Sequence, residues 1–198
     1  MRDPENIREV AAMSPQYMGF IFYKGSKRFV GNDFTIPDDT SIACKRVGVF
    51  VNQSIKEILS LANRHQLDFI QLHGKEAIEE CRSIYDAGLG VIKSFGVGKG
   101  FDFSEVNRYK GFVDYFLFDA KGDGHGGNGV PFDWSALHGY DQDVPFFLSG
   151  GISPDHVEEI KKLRGMNLHA LDVNSKVEKR IGLKDIELVR KLSLLLAE

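Results

Sequence analysis

The chain of 198 residues has little of what would mark a specialised class. It holds two cysteines, Cys44 and Cys81, with no Cys-x-x-Cys pattern. That usage reads as reduced thiols in a cytoplasmic protein. Neither charge is in excess: 25 lysines and arginines face 28 aspartates and glutamates, a net charge of −3. Near-neutrality argues against a dedicated nucleic-acid binder or a polybasic membrane binder. No apolar run approaches the ~18 residues of a membrane span. The opening Met1-Arg2-Asp3-Pro4-Glu5 has no apolar signal core. Six histidines without metal-ligand spacing give no reason to expect a metal. There is no linker, low-complexity tract or composition shift, so residues 1–198 are expected to form a single domain.

What is present suits an ordinary globule: 42% hydrophobic and 27% charged residues, enough to bury a core without disulfide or metal staples. Short apolar runs alternate with amphipathic stretches. The runs cover 17–23, 45–51, 68–72, 90–95, 114–119, 145–149 and 170–173. Several are apolar at consecutive positions, as in strands buried on both faces, and parallel sheets bury both faces. Helical spacing links Ile55, Ile58, Leu59 and Ala62, then Val157, Ile160 and Leu163, then Ile186, Val189, Leu192 and Leu196. Ser153-Pro154-Asp155 has the N-cap, first-position proline and first-turn acid of a helix start, and Asp3-Pro4 has the same form. Segments 33–41 and 102–109 are weaker and predict only short helices. The alternation predicts an α/β fold with a parallel sheet, either open or closed. A βα repeat opens on a strand, and this chain opens on a helix before seven strands. The pattern is that of a (βα)8 TIM barrel whose first strand is absent from the sequence given. An open gap would expose backbone groups on two edge strands and invite pairing with another chain, so a monomer or weak homodimer is expected.

In parallel α/β folds ligands gather at the C-terminal ends of the strands. Gly150-Gly151 follows the run ending at Ser149, and Asn174-Ser175 follows the next one, with Gly182 beyond. Two such consecutive loops at the last strands suit a phosphate; alone, the glycine pair also fits a tight turn. Asp119 ends the run Tyr115-Phe116-Leu117-Phe118. A carboxylate at the mouth of a core strand is a candidate general acid, because partial burial favours the protonated form; the alternative is a residue capping its own loop. The loop beyond it has five glycines in the eight residues 122–129. It reads as a lid or a loose tip, with His125 a surface residue rather than a metal ligand. Arg28 follows the first run and could clamp a carboxylate, or belong to a solvated basic loop with Lys24 and Lys27. His73 follows Phe69-Ile70-Gln71-Leu72 and faces the same mouth, for a structural hydrogen bond or for catalysis. Asp172, in the last run, points inward or toward a ligand.

These residues fall in stretches that together resemble the phosphoribosylanthranilate isomerase family of tryptophan biosynthesis. The stretches are Gly19-Phe20-Ile21-Phe22-Tyr23 with Ser26-Lys27-Arg28-Phe29-Val30; Lys45-Arg46-Val47-Gly48-Val49-Phe50-Val51-Asn52; Gln71-Leu72-His73-Gly74; Phe118-Asp119; Phe132-Asp133-Trp134; Phe147-Leu148-Ser149-Gly150-Gly151; Leu171-Asp172-Val173-Asn174-Ser175; and Gly182-Leu183-Lys184-Asp185. The resemblance implies a cytoplasmic isomerase without cofactor. It would carry out the Amadori rearrangement of N-(5-phosphoribosyl)anthranilate to 1-(2-carboxyphenylamino)-1-deoxyribulose 5-phosphate. By the same resemblance Asp119 is the general acid, Arg28 holds the anthranilate carboxylate, and His73 and Asp172 line the sugar site. Gly150, Gly151, Asn174 and Ser175 take the phosphate. The only partner implied is a small phosphorylated substrate, with no nucleic acid and no membrane. The family's base is a cysteine in a Cys-Gly motif ending its first strand, and Met1-Arg2-Asp3-Pro4 matches the segment after it, so impaired turnover is expected of the chain as given. Neither Cys44, before a strand, nor Cys81, within a helix, can replace that base. Lys176 stands where the family often has glycine, which bears on the phosphate loop. The alternatives are a phosphosugar-binding barrel without catalysis, or another phosphosugar isomerase or epimerase. Arg28 together with Phe132-Asp133-Trp134 speaks against the epimerase.

Overall fold

The structure is a computed structural model that describes residues 1–37, 44–98, 100–120 and 134–197. Its elements run α1 (Pro4–Ala11), β1 (Tyr17–Ile21), β2 (Lys45–Phe50), α2 (Ile55–His65), β3 (Phe69–Leu72), α3 (Ile78–Asp86), β4 (Gly90–Val97) and α4 (Ser104–Asn107). Then come β5 (Tyr115–Ala120), β6 (Phe146–Ser149), α5 (Val157–Lys161), β7 (Leu168–Leu171), β8 (Glu178–Arg180), β9 (Leu183–Lys184) and α6 (Ile186–Ala197). Strands β1 to β7 form one sheet in chain order, every neighbouring pair parallel. All seven expected strands are there, and β1 and β7 are the two edges of the sheet. The unforeseen element is the antiparallel pair β8–β9.

The consecutive apolar positions divide between two layers. In β5, Phe116 and Phe118 enter the large cluster between sheet and helices, while Leu117 joins Val47, Ile92 and Phe147 in a smaller cluster inside the curl. Since side chains alternate in a strand, Asp119 shares the inner face with Leu117. The same alternation carries Phe69 to Gln71 and His73, and Ala170 to Asp172.

The base of the inner space is an aromatic plug. Tyr17 packs edge-on to Phe147, with centroids 4.9 Å apart, and His169 stacks on Tyr115 at 4.3 Å. The Tyr17 hydroxyl and His169 Nε2 lie 2.8 Å apart, so side chains from the two edge strands meet across the gap. His169 and Ala170 both face inward because the β6–β7 register shifts there: Phe146 pairs with Leu168 but Phe147 with Ala170. That bulge moves β7 two residues earlier than the apolar run 170–173 suggested, although the Asp172 amide still donates to the Leu148 carbonyl at 2.8 Å.

Two expected helix features differ. Asp3 caps α1 as expected, its carboxylate accepting from the Asn6 amide at 2.9 Å. At Ser153 a 3-10 turn, Pro154–His156, precedes the five-residue α5, because His156 Nδ1 accepts from the Ser153 amide at 3.2 Å and closes the entry itself. Residues 33–37 are not helical, and 38–41 lie outside the described residues. The stretch 102–109 holds the single turn α4, the short helix expected there.

Helix α1 is bound to β9 by one buried side chain. Asn6 Nδ2 donates to the Lys184 carbonyl at 3.0 Å, and the Lys184 amide donates to Asn6 Oδ1 at 2.7 Å. Asn6→Ala removes both and leaves a buried N–H and C=O unpaired. A loss of about 1–3 kcal/mol is expected, read from urea unfolding; an unchanged midpoint would show that water replaces the amide.

Candidate active site

All eight expected site residues line one cavity of about 940 Å³, which opens at the C-terminal ends of the strands and reaches the gap between β1 and β7. Arg28 comes from the loop after β1, His73 from the end of β3, Asp119 from β5, Gly150 and Gly151 from the turn after β6, and Asp172, Asn174 and Ser175 from the segment after β7. The glycine-rich segment 122–129 with His125, and Phe132-Asp133, lie outside the described residues.

Asp119 is paired in register with Gly96 on β4 and Ser149 on β6, which fixes its backbone from both sides. Its Oδ2 stands 3.8 Å from His73 Nε2, and both side chains are about one-third exposed. Gln71, two residues earlier on the same face, places its Nε2 2.9 Å from His73 Nδ1. An amide nitrogen only donates, so Nδ1 accepts and the ring proton sits on Nε2, toward Asp119. Loss of hydration, with the Asp119 charge adding to it, pushes the Asp172 carboxyl above the usual carboxylate range, against the pull of His73 and Lys184.

The loops carrying these groups are braced from below. Lys93 Nζ donates to the Leu72 and Gly74 carbonyls at 3.2 and 2.9 Å and to Glu76 Oε2 at 3.0 Å. Glu76 in turn accepts from the Asn52 and Gly74 amides, both at distances under 3.2 Å. This buried pair joins the ends of β2 and β3 to the middle of β4 and holds the His73-Gly74 turn. A Cβ on Gly74 would run into the Asn52 and Glu76 side chains, which explains the glycine after His73. Gly150 and Gly151 have φ of 106° and 68°, the left-handed region, so their turn suits glycine, and a Cβ on Gly151 would meet nothing within 4 Å.

Arg28 is not part of a solvated basic loop. Its Nε lies 3.0 Å from each carboxylate oxygen of Glu178 and its Nη2 2.7 Å from Oε2. Glu178 is held further by the Gly182 amide at 3.1 Å and by Lys184 Nζ at 3.4 Å. Lys184 Nζ also donates to the Asn174 carbonyl at 2.9 Å and to Asn174 Oδ1 at 2.7 Å. Burial acts to lower the Lys184 ammonium, and Glu178 opposes it. Glu178, Lys184 and Gln71 were not foreseen as site residues. Gln71 was within reach of the two-residue period, whereas the ion pairs join segments far apart in the sequence.

Neither cysteine lines the cavity. Burial raises both thiols, that of Cys81 in α3 to about 12, and Cys44 lies just before β2 at the end away from the mouth.

A family model for N-(5'-phosphoribosyl)anthranilate (PRA) isomerase matches residues 1–193. The chain belongs to this family. It is 45% identical over 190 residues to the N-(5'-phosphoribosyl)anthranilate isomerase of Parabacteroides distasonis, covering 94% of this chain and 86% of that protein. The crystal structure of the phosphoribosylanthranilate isomerase of Thermotoga maritima superposes with a TM-score of 0.83 at 32% identity, over 100% of this chain and 95% of that one. A crystal structure of phosphoribosylanthranilate isomerase in complex with reduced 1-(o-carboxyphenylamino)-1-deoxyribulose 5-phosphate superposes with a TM-score of 0.79 at 30% identity, over the same shares. The sheet is thus the (βα)8 arrangement of these isomerases, with seven parallel strands among the described residues. Among the described residues no helix is long and apolar enough to cross a membrane.

Proposed function

We propose that the cavity binds N-(5-phosphoribosyl)anthranilate and serves its Amadori rearrangement to 1-(2-carboxyphenylamino)-1-deoxyribulose 5-phosphate. One observation carries this reading: an arginine, an acid–histidine pair and two small-residue loops, drawn from five separate strand ends, line a single cavity. The two ends of the substrate are anions of different shape. Arg28 takes the planar carboxylate through its fork, and the amides of Gly151 and Ser175 face the phosphate. Asp119, between them, gives a proton to the furanose ring oxygen, and the ring opens to a Schiff base. Removal of the C2 proton then yields the enolamine, which tautomerises to the ketone. In the family that base is, by the resemblance, a cysteine of a Cys-Gly motif at the end of the first strand; the sequence given has no Cys-Gly pair, and neither Cys44 nor Cys81 lines the cavity to take the proton. His73, with its Nε2 proton toward Asp119, and Asp172, held toward its neutral form, border the sugar. Lys176, exposed beside Ser175, adds a positive charge at the phosphate end. No group in this scheme requires a cofactor. The site is assigned to a cytoplasmic monomer or weak homodimer.

The test is binding of the reduced product analogue and of its dephosphorylated form by calorimetry. The phosphorylated ligand is expected to bind at least ~10-fold more tightly, as a charge-assisted anion site provides. Its electron density in a crystal should place the phosphate against Gly151 and Ser175. Equal affinities would put the phosphate elsewhere and remove the reading.

A further inference from the structure

We propose that Glu178 is a positioning residue for the carboxylate end of the substrate: it grips one edge of the Arg28 guanidinium so that the other edge is presented to the cavity, and through Lys184 it ties this clamp to the Asn174 loop at the phosphate end. The inference rests on the reading of Arg28 given above and extends it to a residue that does not touch the substrate.

The geometry is specific. Glu178 takes the Nε–Nη2 edge of Arg28, through three contacts of 3.0, 3.0 and 2.7 Å. The outer edge, through Nη1, has no partner among the described residues. The Glu178 side chain is 4% exposed and that of Arg28 25%, so the carboxylate lies behind and the guanidinium in front. A guanidinium has five donors and accommodates two carboxylates on two edges, and a preformed fork loses less freedom when its second partner arrives. Two cations, Arg28 and Lys184, surround one anion, so the cluster keeps one positive charge for an anionic ligand. The contacts also join segments that follow the two edge strands: Arg28 follows β1, Glu178 opens β8, and Lys184 reaches Asn174 after β7. The two ends of the ligand are therefore held by one hydrogen-bonded chain, Arg28–Glu178–Lys184–Asn174.

The experiment compares dissociation constants for two ligands, the reduced product analogue and the same molecule without its aryl carboxylate, on the full chain. The parent should prefer the carboxylate ligand by ~10- to 100-fold, the usual worth of a charge-assisted bidentate contact. Glu178→Gln, which keeps the shape and removes the charge, should reduce that preference to within about threefold, the carboxylate ligand losing far more than the carboxylate-free one, which weakens only as the Lys184 link to the Asn174 loop loosens. Lys184→Gln should weaken both ligands together, since it loosens the phosphate loop. In an Arg28→Lys background the preference should be small already, and adding Glu178→Gln should change it no further. Should Glu178→Gln fail to fold by its melting curve, Glu178→Asp serves, withdrawing the carboxylate by one methylene. Equal weakening of both ligands by the Glu178 substitution would show a merely structural role, and tighter binding of the carboxylate ligand would show that Glu178 competes for Arg28; either overturns the proposal. A parent protein that binds both ligands without preference would instead overturn the assignment of Arg28 itself.

Discussion

Preceding Met1 with a short apolar strand that ends in Cys-Gly is expected to raise isomerase turnover by ~10²–10⁴, the usual worth of a positioned acid or base. The melting temperature is expected to rise with it. Two facts lead there. The edges β1 and β7 do not pair with each other, and a parallel strand between them would satisfy the N–H and C=O groups facing the gap. Among the described residues neither cysteine borders the cavity, while the rearrangement needs a base at C2. The gap is now crossed by side chains and by the terminal amine: Tyr17 meets His169, and the Met1 amine lies 3.4 Å from the Gly19 carbonyl. Burial, with Lys184 adding to it, lowers that amine to about 5. An inserted strand displaces a contact of 3.4 Å and gains a ladder. The matched extension ending in Ser-Gly separates the two effects. It should gain the stability and not the rate. If the chain as given equals the Cys-Gly extension in rate and in melting temperature, another residue takes the C2 proton.

The sequence made the inner face of the sheet readable because side chains in a strand alternate without exception until a bulge intervenes. Tyr115-Phe116-Leu117-Phe118 is apolar at every position, yet the alternation still assigns Leu117 and Asp119 to one side. His73 follows Phe69 and Gln71 in the same way. The rule failed at β7, where one extra residue turns both His169 and Ala170 inward, and nothing in Leu168-His169-Ala170-Leu171 announces a bulge. Arg28 was placed at the mouth by its position after β1, but the carboxylate that holds it was not legible. Glu178 lies 150 positions away on a three-residue strand, too short to show any period. Gly182-Leu183-Lys184-Asp185 marked the region through resemblance alone. The structure adds why it matters: Gly182, at φ 82°, turns the hairpin so that its amide and the Lys184 ammonium both reach Glu178.

Asp119→Asn, made in the chain extended by the Cys-Gly strand, is expected to lower kcat by ~10²–10⁴ and to leave KM near that of its parent. The amide fills the same space on β5, between Gly96 and Ser149, and the ring proton on His73 Nε2 can still face its oxygen. What it loses is a proton to give to the ring oxygen. His73 is the nearest group able to compensate, 3.8 Å from the Asp119 carboxylate, but its position is set by Gln71 at Nδ1 and by the braced turn at Gly74. A ring held in this way cannot swing to a ring oxygen aligned with Asp119, so compensation should be small. The double variant Asp119→Asn with Gln71→Ala releases that hold, and a partial return of rate there would identify His73 as a substitute donor. Near-parent turnover in the single variant would show instead that Asp119 is not the acid, and that the proton reaches the ring oxygen from another side of the cavity, where Asp172 is the remaining carboxyl held toward its neutral form.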